Sequence, residues 1–300
     1  MSKTKLYFLS TRPQFLPAIA LPVAVGASFA YRSTGRFSVL FFALSLLAAL
    51  FYHAGMNVLN DYFDFKNGTD NINTKALTPF TGGSLFIQKG LISPERTLHF
   101  GVVLVILGSL AGLYLTCMTT PLLLLIGGLG LFLGYSYSAP PLSLASRGLG
   151  EVTVGLCFGL LTVLGSYIVQ TGEMSVLPFF AALPVSFLIT ALLYINEFPD
   201  FEADQKAGKL TLVVRLGKQK ARYGMILLTA GAYLSLVAAV ALGFLPAPSL
   251  IALLSAIPAA KSAAGLFKDP EGARSLIPSI KSIILADLSA GALLAISGLL

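Results

Sequence analysis

The sequence has no tryptophan, two cysteines, two histidines and only 11% charged side chains over 300 residues. A soluble domain carries roughly 25% charge, so this scarcity excludes an ordinary water-soluble globule, and it excludes the charge-rich disordered class as well. Cys117 and Cys157 both lie inside apolar runs, which leaves no disulfide framework and no cysteine zinc cluster. His53 and His99 stand apart from every group of acids, so a soft-metal centre is disfavoured too. What the chain has is apolar surface: 56% hydrophobic residues and a mean hydropathy of +0.83. That is the composition of a protein embedded in a bilayer. Its basic balance, 20 Lys+Arg against 13 Asp+Glu, therefore speaks of membrane topology and not of nucleic-acid binding.

A membrane span needs about 20 mostly apolar residues to cross about 30 Å of hydrocarbon. Apolar runs of that length lie near 14–32, 37–59, 97–117, 120–138, 149–170, 176–196, 223–244, 248–267 and 277–299. They are too long and too evenly apolar for barrel strands, and only helices or closed barrels satisfy their backbone in lipid. The expected fold class is all-α, a polytopic bundle of nine transmembrane helices in a single domain over 1–300. The polar stretch 1–12 precedes a full span without a small-residue cleavage site, and reads as a cytoplasmic tail instead of a signal peptide. With the N-terminus inside, every lysine and arginine except Arg32 and Arg36 falls on the inner face, as the positive-inside rule requires.

Topology does not call for acids, yet all but Glu173 and Asp287 also fall on the inner side. One group runs from Asn57 through Asn60, Asp61 and Asp64 to Lys66 and Asp70, where the second span ends. The other runs from Asn196 through Glu197, Asp200 and Glu202 to Asp204, Lys206 and Lys209, where the sixth ends. If the helices continue through these points, Asn60 and Asp64, like Asp200 and Asp204, are four apart and share a face. Several carboxylates on one face repel one another, and a divalent cation removes the conflict. Mg²⁺ suits such oxygen ligands and bridges one or two carboxylates to substrate phosphates. Lys66, Lys75, Lys206, Lys209 and Arg215 lie in the same segments, placed to meet free phosphate oxygens.

The two acid motifs resemble those of the UbiA superfamily of intramembrane prenyltransferases, which carry Asp-rich motifs after the second and sixth of nine helices. Here they stand as Asn60-Asp61-Tyr62-Phe63-Asp64-Phe65-Lys66-Asn67-Gly68-Thr69-Asp70, and as Asp200 to Asp204 followed by Gly208-Lys209, Thr211, Arg215 and Gly217. Within the superfamily the run Asn196 to Gly217 resembles the 1,4-dihydroxy-2-naphthoate polyprenyltransferase branch. So do Tyr137 to Leu142, Arg147 to Glu151, Pro79-Phe80-Thr81-Gly82-Gly83 and Arg12-Pro13. The Tyr-x-x-x-Lys pattern of the 4-hydroxybenzoate members is broken by Pro141, four residues after Tyr137.

The resemblance implies a multi-pass enzyme of a prokaryotic inner or plasma membrane. It would transfer a polyprenyl group from a polyprenyl diphosphate to an aromatic acceptor, a dihydroxynaphthoate of menaquinone synthesis. It also implies the site: Asn60, Asp61, Asp64, Asp200 and Asp204 as Mg²⁺ ligands, and Asn57, Lys66, Asp70, Asn196, Lys209 and Arg215 on the substrate. Asp61, Asp64, Asp200, Asp204 and Tyr137 form the catalytic set, Tyr137 as a cation stabiliser or acceptor-orienting group. The motif segments near 60–96 and 197–222 are expected as cytoplasmic loops. Two other readings stand beside this one: transfer to a glycerophosphate alcohol or another quinone precursor, and a secondary transporter, whose acids would gather at the bilayer midplane. Asp287 and His53 read as packed, hydrogen-bonded groups, and the two cysteines as buried small hydrophobes.

Overall fold

In a computed structural model, residues 2–73, 77 and 80–300 are described; the expected contributions of Lys75 and Pro79 lie outside them. Helices follow one another along the chain, and among the described residues there is no strand. The principal ones are α1 (Pro13–Thr34), α2 (Val39–Asn67), α3 (Pro94–Met118), α4 (Leu122–Ser138), α5 (Gly150–Thr171), α6 (Val176–Lys206), α7 (Lys218–Ala241), α8 (Ala247–Lys268) and α9 (Arg274–Leu299). Eight of them are long and apolar enough to cross a bilayer. The other, α4, has 17 residues, about 26 Å at 1.5 Å per residue.

Local chemistry sets where the helices begin and end. Ser38, Ser93 and Ser175 each turn a side-chain oxygen to a backbone N–H of the following first turn, capping α2, α3 and α6. Gly68 closes α2 with φ of 86°, a left-handed conformation that costs glycine nothing. The principal departure from expectation concerns α2 and α6, which do not stop at the apolar boundary. They run on to Asn67 and Lys206, so Asn57 to Asp64 and Asn196 to Asp204 stand in the last turns of long helices instead of loops, while Asp70, Lys209 and Arg215 lie in the segments that follow. At 29 and 31 residues these helices measure about 44 and 46 Å, against about 30 Å of hydrocarbon. The polar ends project beyond the hydrocarbon, where charge is tolerated, and α6 holds its helix even through Pro184 and Pro199.

The centre of the bundle is α6, whose Leu188, Ile195 and Phe198 are fully buried together with Met225 of α7, Leu266 of α8 and Ile283 of α9. A second core, toward the opposite end, joins Val25 and Phe29 of α1, Ile168 of α5, Val185 of α6, Leu236 of α7 and Leu294 of α9. Lipid offers no hydrophobic drive between helices, so close approach at small residues takes its place. A Cβ on Gly26 would stand 2.3 Å from Val163 O, and one on Gly159 would stand 2.2 Å from Ser186 Oγ. These contacts lock α1 to α5 and α5 to α6. By contrast α3 and α4 turn Val103, Ile106, Leu110, Leu125 and Phe132 outward, as a lipid-facing wall does. Cys117 is exposed on that wall, and Cys157 faces the central cavity; neither is buried in the core as expected.

Connections gather at two ends. At one, Leu210 N donates to Ser146 O at 3.1 Å and Lys218 pairs with Glu202 and Glu271. At the other, Gln170 holds both Ser38 N and Ser38 O, and Phe180 stacks on Phe244. The acid motifs lie at the first end.

Candidate active site

A cavity of about 620 Å³ runs from the acid-bearing ends of α2 and α6 into the middle of the bundle. Its deep part is walled by apolar groups, among them Ala48, Leu115, Leu123, Ile126, Leu161 and Val169. Its mouth is charged. Asn57, Asn60 and Asp64 reach it from α2, Asp70 from the short helix Thr69–Ile72, and Asn196, Asp200 and Asp204 from α6. Lys209 and Arg12 enter from flanking segments, and Tyr137 from the inner end of α4. The two acid groups are far apart in sequence, and one cavity joins them.

The polar groups are held by one another. Lys209 Nζ lies 3.1 Å from Asp64 Oδ2 and 3.8 Å from Asp204 Oδ1, so its ammonium bridges α2 and α6. Asn60 Nδ2 donates to Asp64 Oδ2 at 3.1 Å and to Ser138 Oγ at 2.9 Å, which ties α2 to α4. Asp200 accepts from Asn73 Nδ2 at 2.8 Å and from Gly82 N at 3.2 Å, drawing the segment after α2 against α6. Asn57 Nδ2 donates to Thr11 O at 3.0 Å. Asn196 lines the cavity, and among the described residues its Oδ1 has no partner.

Asp61 does not line the cavity. It is ion-paired with Arg12 and accepts from Ser84 N at 3.2 Å. Arg12 also donates to Asn60 Oδ1 at 2.9 Å. A Cβ on Gly83, whose φ is 69°, would stand 2.9 Å from both Asp61 Oδ1 and Asp70 Oδ2, so this glycine lets the backbone lie against two carboxylates. Lys66 is exposed beside the Tyr62 ring, and Arg215 is exposed with its Nε on Leu210 O at 2.9 Å. Neither lines the cavity; among the described residues the cations at its mouth are the expected Lys209 and, where Lys66 and Arg215 were expected, Arg12.

The electrostatics follow from burial in a field of like charges. Burial pushes the Asp70 carboxyl up to about 8, with Asp64 and Asp61 adding to the effect and Arg12 and Lys209 opposing it. Burial alone would lower Lys209, but Asp204 and Asp64 outweigh it and raise the ammonium above the ordinary lysine range. Arg12 is raised likewise, burial being overcome by Asp61 first. Among the described residues, Asp64, Asp70, Asp200 and Asp204 line the mouth beside two cations, Arg12 and Lys209. The mouth is short of positive charge, and its donors are hard oxygens.

A sequence profile of the UbiA prenyltransferase family matches residues 19–277. The chain belongs to that family. It is a prenyltransferase and a multi-pass membrane protein. It is 29% identical over 286 residues, 95% of this chain and 89% of the other, to the 1,4-dihydroxy-2-naphthoate octaprenyltransferase of Bacillus subtilis. It is 31% identical to the UbiA prenyltransferase domain-containing protein 1 of Dictyostelium discoideum, over 78% of this chain and 69% of that one. Among solved structures, a UbiA homologue from Archaeoglobus fulgidus bound to DMAPP and Mg²⁺ superposes with a TM-score of 0.72 at 19% identity, over 97% of each chain. A digeranylgeranylglyceryl phosphate synthase does so with a TM-score of 0.66 at 20% identity, over 100% and 99%. These likenesses carry the all-helical UbiA fold onto this chain.

Against that fold, the residues that sequence reasoning missed are long-range partners. Arg12 reads in the sequence as a topological charge, and its contact with Asp61 crosses 49 positions. Glu197 and Glu151 were visible inside the motifs, but nothing in their spacing marks them as neighbours. His53 is packed edge-on to Phe158 at 4.6 Å and lines the cavity. Its Nδ1 has no hydrogen-bond partner among the described residues, contrary to expectation. Asp287 is buried in α9, away from the cavity.

Proposed function

We propose that this enzyme transfers a polyprenyl group from a prenyl diphosphate to 1,4-dihydroxy-2-naphthoate, with Mg²⁺ at the cavity mouth. The observation that carries this reading is the single cavity whose mouth is lined by oxygen donors of both acid motifs and whose depth is apolar. Asn60, Asp64, Asp200 and Asp204 would hold the metal, with Asp61 buttressed by Arg12 behind them. Each Mg²⁺ would take one or two of these carboxylates plus substrate phosphate oxygens, and among the described residues the surplus of aspartates over cations at the mouth favours this too. When bound, Mg²⁺ neutralises charge on the departing diphosphate.

The chain's own residues do the remainder. Lys209 and Arg12 offer donors to phosphate oxygens at the mouth. The apolar chamber takes the prenyl tail and keeps water from the allylic carbon while its bond to the diphosphate oxygen breaks. Tyr137, lining the boundary between mouth and chamber, presents a ring face to the developing cation. The acceptor ring supplies the electron pair for the new carbon–carbon bond, and the carboxylate leaves as carbon dioxide. The Bacillus subtilis relative supports naphthoate as acceptor, and the Archaeoglobus fulgidus homologue, with DMAPP and Mg²⁺, supports the donor and metal. The motif end of the bundle would face the cytoplasm, and 1–300 would act as one domain. Incubation with a labelled prenyl diphosphate and a panel of acceptors tests the reading by product mass. Demethylmenaquinone is expected, and a product that retains the carboxylate, or turnover with a glycerophosphate alcohol alone, overturns it.

A further inference from the structure

Along α6 the residues that line the cavity are Ile189, Leu192, Leu193, Asn196, Glu197, Asp200 and Asp204, the recurrence of one helix face. Glu197 stands one turn before Asp200 on the chamber side, about 4.5 Å deeper along the axis. It is 7% exposed. Among the described residues its Oε2 is without a hydrogen-bond partner. The Glu151 carboxyl lies close enough to act on it. Glu151 is anchored: its Oε1 accepts Leu212 N at 2.9 Å, and its Oε2 is likewise without a donor. Two neighbouring buried carboxyls cannot both be charged at low cost, and one proton between them removes the conflict. The lone pairs of Glu197 that this proton leaves free lie at the cavity wall, between the diphosphate mouth and the tail chamber. On the reading proposed above, that is the depth at which the allylic carbon would meet the acceptor.

We propose that Glu197 is a catalytic residue for the acceptor, accepting the hydrogen bond and then the proton of the ring hydroxyl next to the carbon that is alkylated. The proposal rests on the aromatic-acceptor reading above. As the prenyl carbon leaves the diphosphate oxygen and bonds to the ring carbon, the adjacent hydroxyl becomes a carbonyl and its proton passes to Glu197. When carbon dioxide departs, its bonding pair restores the aromatic ring and the carbonyl oxygen recovers the proton from Glu197. No oxidant or reductant enters, and the carboxyl pair ends as it began.

The test compares Glu197→Gln with the unmodified enzyme, using Mg²⁺, a labelled prenyl diphosphate and two acceptors: dihydroxynaphthoate and its methyl ether at the hydroxyl beside the carboxylate. Loss of a proton-accepting group costs about 10²-fold. Expected are a kcat about 100-fold lower for the variant with the free hydroxyl, an unchanged KM for the prenyl diphosphate, and no further loss with the ether. The unmodified enzyme should itself be slow on the ether. A variant that keeps its kcat, or that slows both acceptors equally, overturns the proposal. If the variant does not fold, the unmodified enzyme decides, since full speed on the ether is contradictory. Turnover with a different hydroxyaromatic acceptor sinks the naphthoate reading alone, and the same comparison on that acceptor still judges Glu197. Turnover confined to a non-aromatic alcohol sinks both.

Discussion

Lys209 Nζ stands 3.1 Å from Asp64 and 3.8 Å from Asp204, so one ammonium joins the two motif helices at the mouth of the cavity. It contributes where diphosphate charge must be met. Replacing it by methionine keeps the stem and removes the donor. Lys209→Met should raise KM for the prenyl diphosphate and lower kcat/KM by about 10²-fold, the loss typical of a charge-stabilising donor. Steady-state kinetics with varied donor check it, and an unchanged KM would place Lys209 outside the diphosphate site.

Lys66 and Arg215 face away from the cavity. Lys66→Ala and Arg215→Ala should each retain kcat/KM for the donor to within about threefold, in the range of an exposed surface change. A loss of tenfold or more in either would mean that the segment re-orients on substrate binding.

Arg12 connects the start of α1 to Asp61 and Asn60 through the fork of its guanidinium. Breaking a buried pair by removing one partner costs about 3–5 kcal/mol, and lysine lacks the fork. Partial exposure of the Arg12 side chain, 21%, places the expected loss at or below the low end of that range. Arg12→Lys and Arg12→Ala should lower the unfolding midpoint in detergent and reduce activity together, alanine more than lysine. Equal stability of all three forms would contradict a buttressing role for this pair.

How far the sequence speaks is clear from these residues. Long apolar runs mark helices because lipid leaves the backbone no other choice, and the four-residue spacing of Asn60–Asp64 and Asp200–Asp204 survives because α2 and α6 do continue through it. Spacing describes one helix face, but not what another helix brings to it. Arg12 beside Asp61, Lys209 between Asp64 and Asp204, and Glu197 against Glu151 depend on packing across tens of residues. Lys66 and Arg215 share the motif and the charge, yet the turn each occupies points it outward. A basic residue in an inner segment reads the same whether it serves topology or the site.

The orientation of the bundle is open to chemical labelling. Lys89 and Lys220 are exposed at the motif end, and Glu173 is exposed at the other. Single cysteines at 89 and 220, in a background without Cys117 and Cys157, should resist a membrane-impermeant thiol reagent in intact cells, whereas one at 173 should react. The reverse pattern would invert the topology drawn from the positive-inside rule.

The central claim is that the two acid motifs act as one Mg²⁺-dependent site for a prenyl diphosphate. Its most direct measurement is prenyl transfer by the purified enzyme, by Asp64→Ala and by Asp204→Ala, with Mg²⁺ and after removal of divalent cations by chelation. Turnover should require the metal and return when Mg²⁺ is restored. Each variant should lose at least about 10²-fold in kcat, while its unfolding midpoint stays near that of the parent. Metal-independent turnover, or full activity in either variant, would contradict the account.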